Sequence, residues 1–412
     1  MIDDVDRPER RTPAARVGWS TEASATERWL ITSSANVNTV GNNRGIVVAA
    51  TGDLLIARDR PHDMFRHVRD LLTEADVTFG QLETAYSDQG SLGSSGPRGG
   101  VPHDVENLVA IPHAGFDVIS LASNHAGDWG VDALLDCIER CRRHGITVVG
   151  AGADIGEARR PGIIERDGTR VGFLAYCSVA PDGYYAGPAK HGVAPMRVRT
   201  HYEPFEYDQP GGPPLIRTTP DESDLAALVA NIGELRDQVD VLIVSIHWGL
   251  HFQPARLADY QPVVAHAAID VGADVVIGHH PHILKPVEVY RGKVIFYSLG
   301  NFALEINERW WQSFSREWFD KVNEFHQERS PHRDLKEEAR NSVIVRLHIV
   351  DGHVDRVGLV PVVINDACEP VPYRADTTDG RAVRAYLAQI SAEMGIDTTF
   401  DVVDNEVLVR VR

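Results

Sequence analysis

The feature that most constrains this 412-residue chain is an alternation that begins at Gly45. Short β-branched runs at 46–51, 77–82, 118–122, 147–149, 171–176, 241–246 and 275–277 alternate with helical periodicity at 63–72, 104–114, 131–144, 222–238 and 262–271. The runs are apolar at nearly every position, not at every second one. Strands of that kind need cover on both faces, so the pattern predicts a layered α/β domain. Asp167-Gly168, Arg291-Gly292 and Asp351-Gly352 each separate two strand-like runs. They predict hairpins, because glycine accepts the positive φ of such turns, and hairpins among crossovers make the sheets mixed. The run 342–349 pairs through Asp351-Gly352 with 354–363, and a last helix at 380–393 ends before Gly395.

Four stretches stand apart. Residues 1–44 read as an N-terminal arm, charged and proline-punctuated, with poor order expected at its start. The domain proper is expected over 45–365, and a C-terminal helix and strand packing on it over 366–412. Within the domain, 87–102 is Gly/Ser-rich, and 183–220 holds Tyr184-Tyr185, Lys190 and His191. Loops of this length serve a function or stay disordered. The segment 307–338 is an insertion of helical pattern carrying Trp310, Trp311, Phe314, Trp318, Phe319 and Phe325. It reads either as an amphipathic helix covering a sheet edge or as a wall over a site.

Composition excludes several functions. Lys and Arg number 41 and Asp and Glu 59, a net charge of −18. That argues against general nucleic-acid binding, which needs cations to neutralise phosphates. It equally argues against docking on an anionic membrane. No apolar run approaches the roughly 18 residues that span a bilayer. Residues 1–16 lack an apolar signal region, so a cytoplasmic location is expected. Four cysteines make no disulfide framework, and Cys137 and Cys141, one helical turn apart, read as buried small side chains.

Six of the 18 histidines fall within 247–282. His266 sits mid-helix and reads as structural. His247 ends one strand run, and His279, His280 and His282 follow another. Ligand sites in open α/β sheets lie beyond the carboxyl ends of strands, and neutral imidazole is a common metal ligand. Other strand ends carry Asp53, Glu83, and Asn124-His125 with Asp128. Carboxylate, amide and imidazole ligands together suit Mn, Fe or Zn in a hydrolytic site.

The ordered motifs are Gly-Asp at 52–53, Leu-Glu-Thr at 82–84, Ser-Asn-His-Ala-Gly-Asp-Trp-Gly at 123–130, His-Trp-Gly at 247–249, Gly-His-His-Pro-His at 278–282 and Tyr-Ser-Leu-Gly-Asn-Phe at 297–302. Over about residues 46–304 this order resembles the CapA family of capsule and poly-γ-glutamate biosynthesis, a branch of the calcineurin-like metallophosphoesterases. The resemblance implies a four-layer αββα sandwich of two mixed sheets. It implies one or two divalent ions held by Asp53, Glu83, Asn124, His247, His280 and His282. His125 matches the neighbouring catalytic histidine, with Asp128 placed to orient it. Arg58, Arg98, Lys190 and His279 are candidates to contact an anionic substrate. The superfamily's first motif is Asp-x-His, whereas Leu55 holds the His position here, so one ion is short of a ligand.

The expected activity is hydrolysis of a phosphoester or an amide, γ-glutamyl bonds included, by a metal-activated water. The expected substrate is a small molecule or an anionic oligomer. A biosynthetic cyclase or amide-forming enzyme on the same site, and a non-catalytic accessory of anionic-polymer synthesis, are the alternatives.

Overall fold

The computed structural model describes residues 45–92, 104–208, 211–305 and 337–411. The N-terminal arm, the greater part of the 87–102 loop and all but the last two residues of the 307–338 segment lie outside the described residues.

The first half of the chain supplies β1 (Ile46–Leu55), β2 (Val77–Leu82), β3 (Val118–Ser120), β4 (Thr147–Val149), β5 (Ala151–Gly152), β6 (Gly162–Arg166), β7 (Thr169–Cys177) and β8 (Gly192–Val193). A ribbon, β9 (Val198–Pro204) and β10 (Pro214–Pro220), leads to β11 (Val241–His247), β12 (Val275–His279), β13 (Val287–Tyr290), β14 (Lys293–Phe296) and β15 (Asn301–Leu304). The chain then closes with β16 (Asn341–Val350), β17 (His353–Ile364), β18 (Pro370–Pro372), β19 (Phe400–Val403) and β20 (Glu406–Val409). Among the described residues the α-helices are α1 (Arg69–Glu74), α2 (Ala110–Ala114), α3 (Gly130–Arg143), α4 (Ile155–Ala158), α5 (Glu222–Arg236), α6 (Tyr260–Asp270) and α7 (Thr378–Glu393).

Two mixed sheets result. The larger runs β19-β20-β17-β16-β1-β2-β3-β4, with β15 on β1 and β18 on β17. The smaller runs β13-β14-β12-β11-β7-β6. Parallel pairing links β1 to β2 and β15, and β11 to β7 and β12, while the hairpins at the sheet margins pair antiparallel.

Strand period two assigns the faces. On β2, Phe79 points to the small sheet and stacks on Phe173 of β7, centroids 5.6 Å apart. Its neighbours point outward: the Thr78 hydroxyl donates to the Leu72 carbonyl of α1, and a Cβ on Gly80 would meet the Phe116 ring at 2.8 Å. On the small sheet, Phe173, Ile243, Val275 and Ile277 join the core between the sheets. Leu174, Leu242, Val244 and Val276 face the opposite way, onto Leu228, Ile232, Val264 and Ala268 of α5 and α6. The layers are therefore helix, sheet, sheet, helix, the αββα order implied by the motifs. Near-continuous apolar strands follow, because both faces of each central strand are covered.

Local departures have physical causes. The run at 118–122 leaves the ladder after Ser120, because the Ser120 hydroxyl accepts from Ala122 N and Ser123 N bonds back to Leu121 O. The helix expected at 104–114 is a 3₁₀ turn, Val105–Val109, followed by α2. Pro112 lacks an N–H and its ring crowds the carbonyl four residues back, so the earlier turn cannot be α-helical. The helix expected at 63–72 likewise splits into a 3₁₀ turn at Pro61–Phe65 and α1. The long insertion at 183–220 is no open loop, since β9 and β10 pair over their whole length. At the C-terminus, α7 packs Val383, Leu387 and Ile390 into the inter-sheet core, and β20 extends the large sheet on β17. Among the described residues, no helix is long and apolar enough to cross a membrane.

Candidate metal centre

The central strands of both sheets deliver polar side chains to one corner of the sandwich. β1 does not end at Thr51 but continues through a bulge to Leu55. The bulge presses Gly52 against Gly300, where a Cβ would lie 2.0 Å from the carbonyl oxygen, so only glycine fits. Asp53 thereby faces inward, its N–H donating to Gly300 O at 3.0 Å. Glu83 is the first residue after β2, and its N–H donates to Leu54 O. Asn124 and His125 follow the Ser120–Ser123 turn, where the Ser123 hydroxyl donates to Glu83 O and accepts from His125 N.

The small sheet answers from the opposite side. Period two on β11 puts His247 on the inner face with Ile243, and β12 puts His279 there with Ile277. Those two histidines are register partners. His247 Nε2 lies 2.7 Å from Asn124 Oδ1 and 3.9 Å from Glu83 Oε1. His279 Nδ1 lies 3.3 Å from Asp53 Oδ1, and His282 Nδ1 3.5 Å from Asp53 Oδ2. His280 donates its N–H to Asp53 Oδ2 at 3.3 Å, and its ring lies 4.9 Å from that of His247.

The donor chemistry fits a cation. One ligand atom each from Asp53, Glu83 and His247 lie within 4.8 Å of one another, all three residues buried. Asp53 Oδ1, both Glu83 carboxylate oxygens, His247 Nδ1 and His280 Nδ1 have no hydrogen-bond partner. Buried acceptors left without a donor are costly, and a divalent ion is the group that satisfies several at once. Electrostatics agree. Burial, then the nearby Asp53 and Asp128, push the Glu83 carboxyl well above its usual value. For Asp53, burial pushes upward but the imidazoles of His279, His282 and His247 outweigh it, and the carboxyl stays low. Burial pulls His247 down to about 3, so it is a neutral imidazole with a lone pair to donate.

Beside this cluster stands a second device. His125 Nδ1 is 2.8 Å from Asp128 Oδ2, and the Tyr184 hydroxyl donates to Asp128 Oδ1 at 3.0 Å. Tyr184 comes from the 183–220 insertion, and its ring lies so close to Gly127 that a Cβ there would meet it at 2.7 Å. On the cluster's far side, Asn301, the register partner of Asp53, takes His282 Nδ1 at 2.8 Å and donates to the His282 carbonyl.

The matching family is described as bacterial capsule synthesis protein PGA_cap, over residues 47–305. The chain belongs to this family. The relationship read from the ordered motifs is borne out. The PGA biosynthesis protein CapA of Bacillus subtilis is 25% identical over 321 residues, 78% of this chain and 70% of that protein. The capsule biosynthesis protein CapA of Bacillus anthracis is 27% identical over 277 residues, and the match spans only 61% of its length. A Mycobacterium tuberculosis relative, "Probable polyglutamine synthesis accessory protein", is 34% identical over 236 residues, 56% of each chain. Among solved structures, the calcineurin-like phosphoesterase YfkN of Bacillus subtilis aligns with 85% of this chain and 98% of that one, at TM-score 0.35 and 13% identity.

The structure gathers Asp53, Glu83, Asn124, His125, Asp128, His247, His279, His280 and His282 in this corner. Arg58 is otherwise engaged: its guanidinium bonds Glu305 at 2.8 Å, Glu369 at 3.1 Å and Ala367 O at 2.6 Å. Lys190 stands exposed, with Nζ 3.4 Å from Asp182 O. Arg98 lies outside the described residues. Sequence reasoning assigned no role to Tyr184, Asn301 or His251. Asn301 lay within a quoted motif and His251 four residues after His247, but only the fold brings Tyr184 to Asp128.

Proposed function

We propose that this chain is a metal-dependent hydrolase of phosphoester or amide bonds, γ-glutamyl amides included. The observation that carries the reading is the convergence of Asp53, Glu83 and His247, buried with unpaired ligand atoms, beside the His125–Asp128 pair. Asp53, Glu83, Asn124, His247, His280 and His282 would hold the cation, which supplies Lewis-acid activation of water and of the scissile group when bound.

The chain's own residues do the rest. Asp128, accepting from Tyr184 and from His125 Nδ1–H, holds the His125 ring in one tautomer and one orientation. Nε2 is then the ring atom left to exchange a proton with the leaving group, or to donate to developing negative charge. Closely packed walls, with Asp53, His247 and His279 wholly buried, keep the local dielectric low and strengthen each of these interactions. A net charge of −18 does not oppose an anionic substrate, since Asp53 and Glu83 sit where bound cations would reverse the local sign.

The accessory reading draws on the printed description of the mycobacterial relative. One experiment separates the two. The protein is purified, its metal content measured, and a panel of aryl phosphates, phosphodiesters and γ-glutamyl amides assayed with added Mn²⁺. Turnover of one class that is abolished by chelation and by His125→Ala supports the hydrolase. Cation binding without turnover on any class supports the accessory role.

A further inference from the structure

Leu55 occupies the position at which the first motif would carry a histidine. It is buried and pairs with Leu304 of β15, so it offers no ligand atom. A histidine from another loop stands in the same corner. The His251 ring centroid lies 3.9 Å from that of His280 and 5.3 Å from that of His282. We infer that His251 supplies an imidazole to a second cation position, shared with His280, His282 and Asp53. The inference rests on the cation-binding reading above and extends it.

The ring spacings suit shared coordination. A metal–nitrogen bond of about 2 Å puts an imidazole centroid roughly 3.2 Å from the ion, so two rings on one ion at a tetrahedral angle stand about 5 Å apart. Within the proposed set, His251–His282 and His280–His282 stand 5.3 and 6.2 Å apart, near that spacing, whereas His251–His280 is closer, at 3.9 Å.

The backbone is built to hold His251 there. Gly249, at φ +89°, turns the chain after β11, and its N–H donates to the Tyr260 hydroxyl at 2.8 Å. Phe252, next to His251, adopts φ +52° and donates its N–H to Pro281 O, between His280 and His282. Lys285, wholly buried, donates to the carbonyls of Gln253 and Arg256, the latter at 2.8 Å. His280 and His282 also have positive φ, at +93° and +58°. Such conformations are costly for a side-chain-bearing residue and persist where surrounding contacts over-determine them. Two chain segments are thus locked together where their histidines meet.

The test is Mn²⁺ titration of the full chain, read by bound-metal stoichiometry and electron paramagnetic resonance. The wild type is expected to bind two Mn²⁺ and give a spin-coupled spectrum. His251→Ala and His251→Asn are expected to keep the first equivalent within about threefold, to weaken the second at least tenfold, and to give an uncoupled six-line spectrum. His266→Ala, a distant histidine bonded to Glu288, keeps both. Matching melting curves of the cation-free variants exclude misfolding, with His251→Asn as the milder change. Two equivalents bound with wild-type affinity by both His251 variants overturn the inference. So does a wild type that binds a single ion unaffected by either change, which leaves the cation reading standing. A wild type that binds no ion overturns both.

Discussion

Two glutamates of this chain, Glu83 and Glu369, are equally buried, at 2% exposure, and behave in opposite ways. Glu369 is met by Arg58, Arg66, His67 and Asn365. Burial pushes its carboxyl up, but Arg66, Asn365 and Arg58 outweigh that and hold it below its usual value. It ties the chain after β17 to the residues around α1. Glu83 has neither a protein cation nor a hydrogen bond on either oxygen. Burial and two neighbouring carboxylates drive its carboxyl upward. A buried charge satisfied by the protein is architecture, whereas one with no partner in the protein is a candidate place for a cation.

The contrast can be broken most forcefully at Glu83. Glu83→Gln is expected to weaken Mn²⁺ binding at least roughly a hundredfold, by calorimetry, and to abolish any turnover with it. The cation-free variant should melt no lower than the cation-free wild type, because the change removes an unsatisfied buried carboxylate. A lower melting temperature would mean that Glu83 is structural after all. His125→Ala is expected to lower turnover roughly 10²- to 10⁴-fold while metal content stays unchanged. A variant purified without metal would make His125 a ligand instead.

Glu369→Gln should act in the reverse sense. It leaves Arg66 without its salt-bridge partner and Arg58 with Glu305 alone, so chemical denaturation should show a loss of about 2 kcal/mol, with cation affinity untouched. Tyr184→Phe removes one hydrogen bond to a carboxylate and should lower turnover roughly tenfold at constant metal content. An unchanged rate would leave Tyr184 with a packing role alone.

The subtlest effects lie in the pH dependence of stability and have opposite signs at the two glutamates. Glu369 titrates lower in the folded chain than in the unfolded one. Its contribution is complete above its unfolded value of 4.5 and is lost as pH falls through the folded value. Glu83, in the cation-free protein, titrates higher when folded. Its contribution is complete below 4.5 and is lost as pH rises toward the folded value. Melting curves of the two glutamine variants from about pH 2 to 8 should flatten one limb each, the acid limb for Glu369→Gln and the limb above 4.5 for Glu83→Gln. Flattening of the same limb in both would break the comparison.

Much of the fold was legible because strand burial writes itself into every residue of a run. The runs at 77–82 and 147–149 have the expected bounds, since apolar continuity ends where the cover ends. The helix at 104–114 and the end of the strand run 118–122 were misread because Pro112 and the hydrogen bonds of Ser120 and Ser123 act one bond at a time, below the reach of periodicity. The candidate site was legible as a set of strand-end residues, and family membership follows from the order of the motifs. Arg58 illustrates the limit, as nothing near it in sequence announces Glu305 or Glu369.

The sequence by itself determined which residues are buried, which strands are central and which polar groups end those strands, because each is a local consequence of composition and spacing. Only the tertiary structure decided which of those groups face one another. It set Asp53 of one sheet 3.3 Å from His279 of the other, brought Tyr184 across 56 positions to Asp128, and set the His251 ring 3.9 Å from that of His280. The physical reason is that contacts between sheets depend on how two twisted surfaces pack. No periodicity along a single strand carries that information.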